Sequence, residues 1–206
     1  MGVDPSTVDL EIPRPTPGIE HSDYQISRQF TYLVRKISYV RTLHDLKGKV
    51  KDGATKDWVA DPKFISSITE LSKWQGDLPR DLQVNFPDDD TPPFLSSHFI
   101  GNMHAYYYLT IAMLHRPQLM QPNAYVDGSW KHHLSACYDS AKKMCRLHEA
   151  IYKQFGIPGL ICMQRGINFV IYSVLTCTVV HLVSSSYWRT SAANLHIPGC
   201  HYISRS

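Results

Sequence analysis

Two long segments of this 206-residue chain contain no Asp, Glu, Lys or Arg, and they limit the folds that the chain can adopt. The first lies between Asp90 and Arg116, and the second between Arg165 and Arg189. A helix formed by either segment carries apolar or aromatic side chains around most of its circumference, and such a helix is usually buried on more than one side. The chain therefore needs a core in which helices pack against helices.

The remaining segments carry apolar residues at three- and four-residue steps, the period of an amphipathic helix. Caps, glycines and prolines set the ends of the predicted helices. The starts are Ser22, Asp61-Pro62, Ser96 or Ser97, Asp127 and Gly166, and the stops are Gly48, Gly76 with Pro79, Pro117, Gly156 with Pro158, and Ser186. Because no hairpin signal or internal repeat accompanies them, the predicted fold is all-α, an array of about five to seven antiparallel helices.

Composition divides the chain into three parts. Residues 1–21 are rich in proline and predict an extended lead-in, 22–186 a helical domain, and 187–206 an irregular tail. Within the helical part, 85–93 holds three adjacent acids and three prolines, which predicts a surface loop.

Charge and cysteine usage exclude some classes of protein. The formal charge is only +3, from 21 basic and 18 acidic residues, far from the balance of a typical nucleic-acid-binding domain. The five cysteines are odd in number and mostly lie in apolar segments, as buried thiols do in a reducing compartment. Since residues 1–22 lack the layout of a secretory signal, we expect an intracellular protein.

Eleven histidines and five cysteines raise the possibility of a metal site. Two groups are candidates: His132 and His133 near Cys137, and His196, Cys200 and His201. Neither group contains a CxxC pair or an HExxH helix, the spacings that indicate zinc. Adjacent helical residues such as His132 and His133 also point about 100° apart. The sequence therefore predicts no metal ligand and no cofactor.

The chain shows no signature of catalysis. It has no GxSxG elbow, no local Cys-His signature and no glycine-rich phosphate loop. His98, His104, His115 and His181 lie in the charge-free segments, where a histidine is more often a core residue than a general base. We predict no catalytic residue and no enzyme, with an enzyme of unrecognised site kept as an alternative.

The charge-free segments leave two further alternatives open. Met103, Tyr106, Tyr107, Tyr108 and Met113 could line a pocket for a small apolar ligand, but ordinary core packing is the safer interpretation. The segment 167–187 is about long enough to span a bilayer. Because it contains Asn168, Ser173, Thr176, Thr178, His181 and three further serines, a buried core helix is favoured over a membrane span.

Four segments resemble the fungal-specific regulatory domain, or middle homology region, of zinc binuclear cluster transcription factors. Residues 68–82 resemble its "L…L..W…LP..L" segment, and 104–117 its "H..Y….(I/L)..LHRP" helix, the more specific match. Residues 130–147 resemble the next helix, and 164–182 the apolar helix that ends in "(T/A)..HL". The likeness covers roughly 22–185 in the family's order.

The resemblance implies a nuclear regulator of transcription that responds to a protein partner, to self-association or to a small-molecule effector, without a membrane. Family members bind two zinc ions through a six-cysteine cluster that reads DNA. Cys137 is the first cysteine here, so this zinc cluster and direct DNA contact are not expected from these residues. Residues 184–206 also depart from the family's helical array. We therefore expect a domain truncated at both ends, with exposed apolar surface.

Overall fold

The computed structural model describes residues 21–47, 62–120, 128–162 and 166–194. These residues form five α-helices, two short 3₁₀ helices and no strand, which confirms the all-α fold. The α-helices are α1 (His21–Lys47), α2 (Pro62–Gly76), α3 (His98–His115), α4 (Trp130–Ile161) and α5 (Gly166–Asn194); the 3₁₀ helices are Arg80–Leu82 and Arg116–Met120.

Helix α3 lies at the centre of the fold. It packs most extensively against α4, and it also contacts α1, α2 and α5. Fourteen of its 18 residues are buried, as the absence of charge predicts. The Ser97 side chain caps the helix by accepting a hydrogen bond from the Phe99 backbone N–H at 3.2 Å. Burial around nearly the whole circumference makes α3 the element on which the other helices are arranged.

A glycine allows α3 and α4 to approach closely. A Cβ atom added to Gly101 would lie 2.7 Å from Leu95 Cδ1 and 2.8 Å from Ile151 Cγ1, closer than carbon atoms can pack. Next to it, the Asn102 side-chain amide donates to the Gly159 carbonyl at 2.9 Å. The contact between the two helices therefore combines close apolar packing with a buried hydrogen bond.

Helix α4 differs from its prediction at both ends. It begins at Trp130 with Ser129 at the N-cap position, while the predicted cap, Asp127, lies outside the described residues. Gly156 interrupts it with φ 67° and ψ −167°, as the predicted stop requires. A further turn then follows to Ile161, because proline is tolerated in the first turn of a new helical segment and Pro158 takes that place.

The acidic loop is exposed but firmly attached to α4. Arg146 Nη2 donates to the carbonyls of Pro87 at 2.6 Å and Thr91 at 2.7 Å, and Lys142 pairs with Asp90 at 2.8 Å. Asp90 has a φ of 62°, in the left-handed region that Asp tolerates better than most residues. The predicted surface loop is confirmed, and backbone carbonyls bound by one arginine give it a defined path.

Helix α5 contradicts two expectations. It continues to Asn194, so the prediction of an irregular tail from 187 is wrong for 187–194; residues 195–206 lie outside the described residues. Only 33% of its most apolar window is buried, so it is not the fully buried core helix that the sequence favours. The described chain covers one face of α5, chiefly with α4, and leaves the other in solvent.

Candidate functional site

The exposed face of α5 carries a row of large aliphatic side chains, which we call the α5 stripe. It consists of Ile167, Ile171, Val174, Leu175 and Leu182, each between 46% and 66% exposed. Their spacing follows the helical period, so the side chains form one ridge along the helix. Phe169, Cys177 and Val180 are buried on the opposite face. A row of large exposed aliphatic side chains marks a contact surface more often than an ordinary solvated face.

Most of the threonine and serine hydroxyls that the structure describes in α5 donate to backbone carbonyls of the same helix, whereas the buried Ser184 hydroxyl has no hydrogen-bond partner among the described residues. Thr176 donates to the Tyr172 carbonyl at 2.8 Å, and Thr178 donates to the Val174 carbonyl at 2.9 Å. The cost of placing these hydroxyls in an apolar environment is therefore smaller than their number in the sequence indicates. By length and composition, Gly166–Ser186 is the one helix among the described residues that could cross a membrane.

Residues of the first two family-like segments meet at one junction between α2, the Arg80–Leu82 turn and α3. His104 Nε2 donates to the Leu82 carbonyl at 2.8 Å, and the Trp74 ring stacks on Tyr107 with centroids 5.1 Å apart. Burial lowers the pKa of His104, which keeps the ring neutral. The neutral His104 ring, hydrogen-bonded to a carbonyl in the core, holds α3 against the Arg80–Leu82 turn. This is the structural role that the prediction of a core histidine requires.

The tyrosines of α3 face three different directions. Tyr106 stacks on Phe169 of α5 with centroids 3.8 Å apart, whereas Tyr108 meets Phe86 edge-on at 5.9 Å. Tyr107 faces Trp74. Met103 is fully buried and Met113 nearly so, so every member of the suggested ligand-binding set has protein around it. The ordinary core packing favoured from the sequence accounts for these side chains.

Three histidines converge where α3 ends and α4 begins. One ring nitrogen from each of His115, His132 and His133 lies within 4.8 Å of the others. His115 Nδ1 and His133 Nδ1 share a hydrogen bond of 2.8 Å, and both side chains are buried, whereas His132 is exposed. Burial, together with smaller contributions from the neighbouring His133 and His132, lowers the pKa of His115 to about 4. The His115 imidazole is therefore neutral at pH 7.

The divergence of His132 and His133 on one helix therefore does not exclude a metal ion there. Adjacent residues do diverge on a helix, yet the end of α3 inserts His115 beside both rings, with centroid separations of 5.7 and 5.1 Å. Cys137 is not part of this group, since its thiol donates to the Ala112 carbonyl at 3.7 Å. His196, Cys200 and His201 lie outside the described residues.

A second group, at the contact of α4 and α5, has no counterpart in the sequence prediction. The exposed thiol of Cys145 hydrogen-bonds with the Cys177 thiol and the His181 ring, and these contacts lower its pKa to about 6. Cys177 in turn donates to the Ala141 carbonyl at 3.5 Å. The four-residue spacing of Cys177 and His181 places both on one face of α5, but their meeting with Cys145 depends on how α4 and α5 pack.

The fold and these groups define an all-α protein with one extended apolar contact face. Comparisons with models of known families, with curated proteins and with solved structures found no match to this chain.

Proposed function

We propose that this chain is the helical regulatory domain of a fungal transcription factor of the zinc binuclear cluster family. In this proposal it resides in the nucleus, carries no DNA-reading zinc cluster and catalyses no reaction. It acts through protein contacts made by the α5 stripe.

The junction of the family-like segments supports the family part of the proposal. Trp74 and Leu82 belong to the first segment, and His104 and Tyr107 to the second, and these residues are direct neighbours across the α2–α3 contact. Pro117 of the second segment follows α3 and begins the next turn at its predicted position. These motif residues pack the helices of the fold against one another. This structural role accounts for their pattern in a chain that shows no catalytic signature.

The α5 stripe supports the mode of action and is the observation that carries the proposal. Completing the burial of five half-exposed aliphatic side chains contributes about 1 kcal/mol each, or about 5 kcal/mol in total. Association itself costs at least about 4 kcal/mol, so the stripe alone gives weak and reversible binding. Such a contact becomes populated when its partner is held nearby, as in an assembly on a promoter or in a larger regulator.

The partner that fits the stripe is the apolar face of a helix in another protein. The stripe carries no charge between Arg165 and Arg189, so a charged partner would leave its own groups desolvated and unpaired. Its side chains form a ridge at helical spacing, which interdigitates with the groove of a second helix.

A membrane-associated helical protein with one span at 167–187 is the alternative function. Two observations favour a membrane span: the α5 stripe is exposed, and the Thr176 and Thr178 hydroxyls are hydrogen-bonded within α5. Carbonate washing of membranes from cells that express the chain separates the two proposals. Release into the supernatant supports the protein contact, and retention in the pellet supports the span.

A reporter assay in fungal cells tests the regulatory function. The chain is inserted between a heterologous DNA-binding domain and an activation domain, and we expect it to change reporter transcription several-fold. Leu175→Glu places a charge in the α5 stripe and should return the output to that of the fusion without the chain. Ile65→Glu is the matched control, because Ile65 is a similarly exposed aliphatic residue that lies on α2, outside the stripe.

An unchanged reporter output with the wild-type chain would refute the proposed function. Equal outputs from the Leu175→Glu and Ile65→Glu fusions, at equal protein levels, would refute the role of the α5 stripe.

A further inference from the structure

We propose that His115, His132 and His133 form a binding site for a divalent transition-metal ion, with Zn²⁺ as its favoured occupant. The site lies at the end of α3 and the start of α4, away from the α5 stripe. It is independent of the proposed regulatory function.

The nitrogen positions are close to those that zinc requires. Two zinc ligands at 2.0–2.1 Å in tetrahedral geometry are about 3.3 Å apart. His115 Nδ1 and His133 Nδ1 are 2.8 Å apart, and all three ligand nitrogens fall within 4.8 Å. Binding therefore needs the buried pair to open by about half an ångström and the His132 ring to turn inward, movements that side-chain rotation supplies.

Packing fixes two of the ligands and leaves the third accessible. The Phe64 ring contacts His115 and His133 with centroids 5.8 and 6.1 Å away, so both imidazoles are confined in the core. His132 is exposed, which gives an ion a route to the buried nitrogens. Three protein ligands leave the fourth position to water or an anion, the arrangement of an open zinc site.

The ligand chemistry selects the class of metal. Neutral imidazoles suit Zn²⁺, Cu²⁺ and Ni²⁺, whereas Mg²⁺ and Ca²⁺ prefer oxygen ligands, which this three-histidine group does not provide. The donor of the His115–His133 hydrogen bond must first transfer its Nδ1 proton to its own Nε2 through water, which frees the second lone pair. Arg116 and Lys131 flank the ligands, but both are exposed, so solvent and salt screen their charges.

Calorimetric titration of the full chain with Zn²⁺ alone, after chelator treatment and removal of any purification tag, tests the proposal. We expect one ion per chain and an upward shift of the thermal midpoint that Mg²⁺ does not produce. Visible absorption of bound Co²⁺ reports tetrahedral coordination. His132→Gln removes an exposed ligand without disturbing the core, and it should weaken Zn²⁺ binding by at least about tenfold and abolish the thermal shift.

Two control variants keep the assignment specific. His98→Gln removes a half-buried histidine of α3 outside the group, and the triple variant His196→Gln, Cys200→Ser, His201→Gln removes the C-terminal candidates. Both should bind Zn²⁺ within about twofold of wild type, since neither removes a ligand of the proposed site. Wild-type affinity in His132→Gln, loss of binding in the triple variant, or no stoichiometric binding by the wild-type chain would each overturn the proposal.

Discussion

Replacing Gly101 with alanine tests how closely α3 and α4 pack. The new Cβ would meet Leu95 Cδ1 at 2.7 Å and Ile151 Cγ1 at 2.8 Å, and both neighbours are buried. Overpacking of this kind costs about 1–3 kcal/mol. Alanine also returns up to about 1 kcal/mol of helix propensity. The net expectation for Gly101→Ala is a loss of about 0–3 kcal/mol in the free energy of unfolding.

Gly76→Ala separates the two contributions. A Cβ at Gly76 meets nothing within 4 Å, so this variant gains propensity without a clash. The difference between the variants therefore isolates the packing cost, and Gly101→Ala should be less stable than Gly76→Ala by about 1–3 kcal/mol. Urea unfolding followed by far-ultraviolet circular dichroism measures it. If Gly101→Ala proves as stable as Gly76→Ala, the close approach of α3 and α4 is wrong.

Three further predictions concern acid sensitivity, thiol reactivity and the core. Burial lowers the pKa of His148 to about 4, against about 6.5 in the unfolded chain, so the unfolded state takes up the proton first. The contribution of His148 to the free energy of unfolding is therefore complete above pH 6.5 and should fall by about 3 kcal/mol towards pH 4. Urea unfolding at several pH values measures this loss. If the His148→Gln variant loses stability with falling pH as steeply as wild type, the prediction is wrong. At pH 7 iodoacetamide should label Cys145 before Cys162. The Cys177 thiol lowers the pKa of Cys145 to about 6, whereas burial raises the pKa of Cys162. Equal labelling rates, measured by peptide mass spectrometry, would argue against the contact between Cys145 and Cys177. Leu114→Ala should cost about 2–5 kcal/mol in urea unfolding, since Leu114 is 2% exposed; a cost below about 1 kcal/mol would exclude full burial.

Local residues explain why most helix boundaries could be predicted. Pro62 begins α2, Ser97 caps α3, and Pro117 follows the end of α3. Each of these residues acts on its own turn of backbone, so its effect does not depend on the rest of the fold. Gly156 shows the limit of such signals, because it interrupts α4 as predicted but the helix resumes one turn later.

The two charge-free segments show what composition leaves undetermined. Both lack charge, yet α3 is buried nearly all round while α5 exposes Ile171 and Leu175. An apolar circumference indicates that a helix needs covering, but it does not specify whether the cover belongs to the same chain, to another protein or to a lipid phase. The positions of the neighbouring helices distinguish a cover from the same chain from the other two cases.

The histidine group depends on tertiary structure in the same way. The geometry of one helix separates the His132 and His133 side chains, whereas His115 joins them from another helix. Helical periodicity gives the direction of a side chain on its own element, and it carries no information about which helix end lies opposite. The meeting of Cys145, Cys177 and His181 escaped prediction for this reason as well.

Photo-crosslinking at Leu175 in living fungal cells tests most directly whether protein covers the α5 stripe. A benzophenone side chain at this position, 59% exposed, should yield a protein adduct in the nuclear fraction. The same group at Ile65, which is 52% exposed on α2 and outside the stripe, should yield none. Adducts with lipid alone, or no adduct at Leu175, would contradict a regulatory domain that acts through protein contacts.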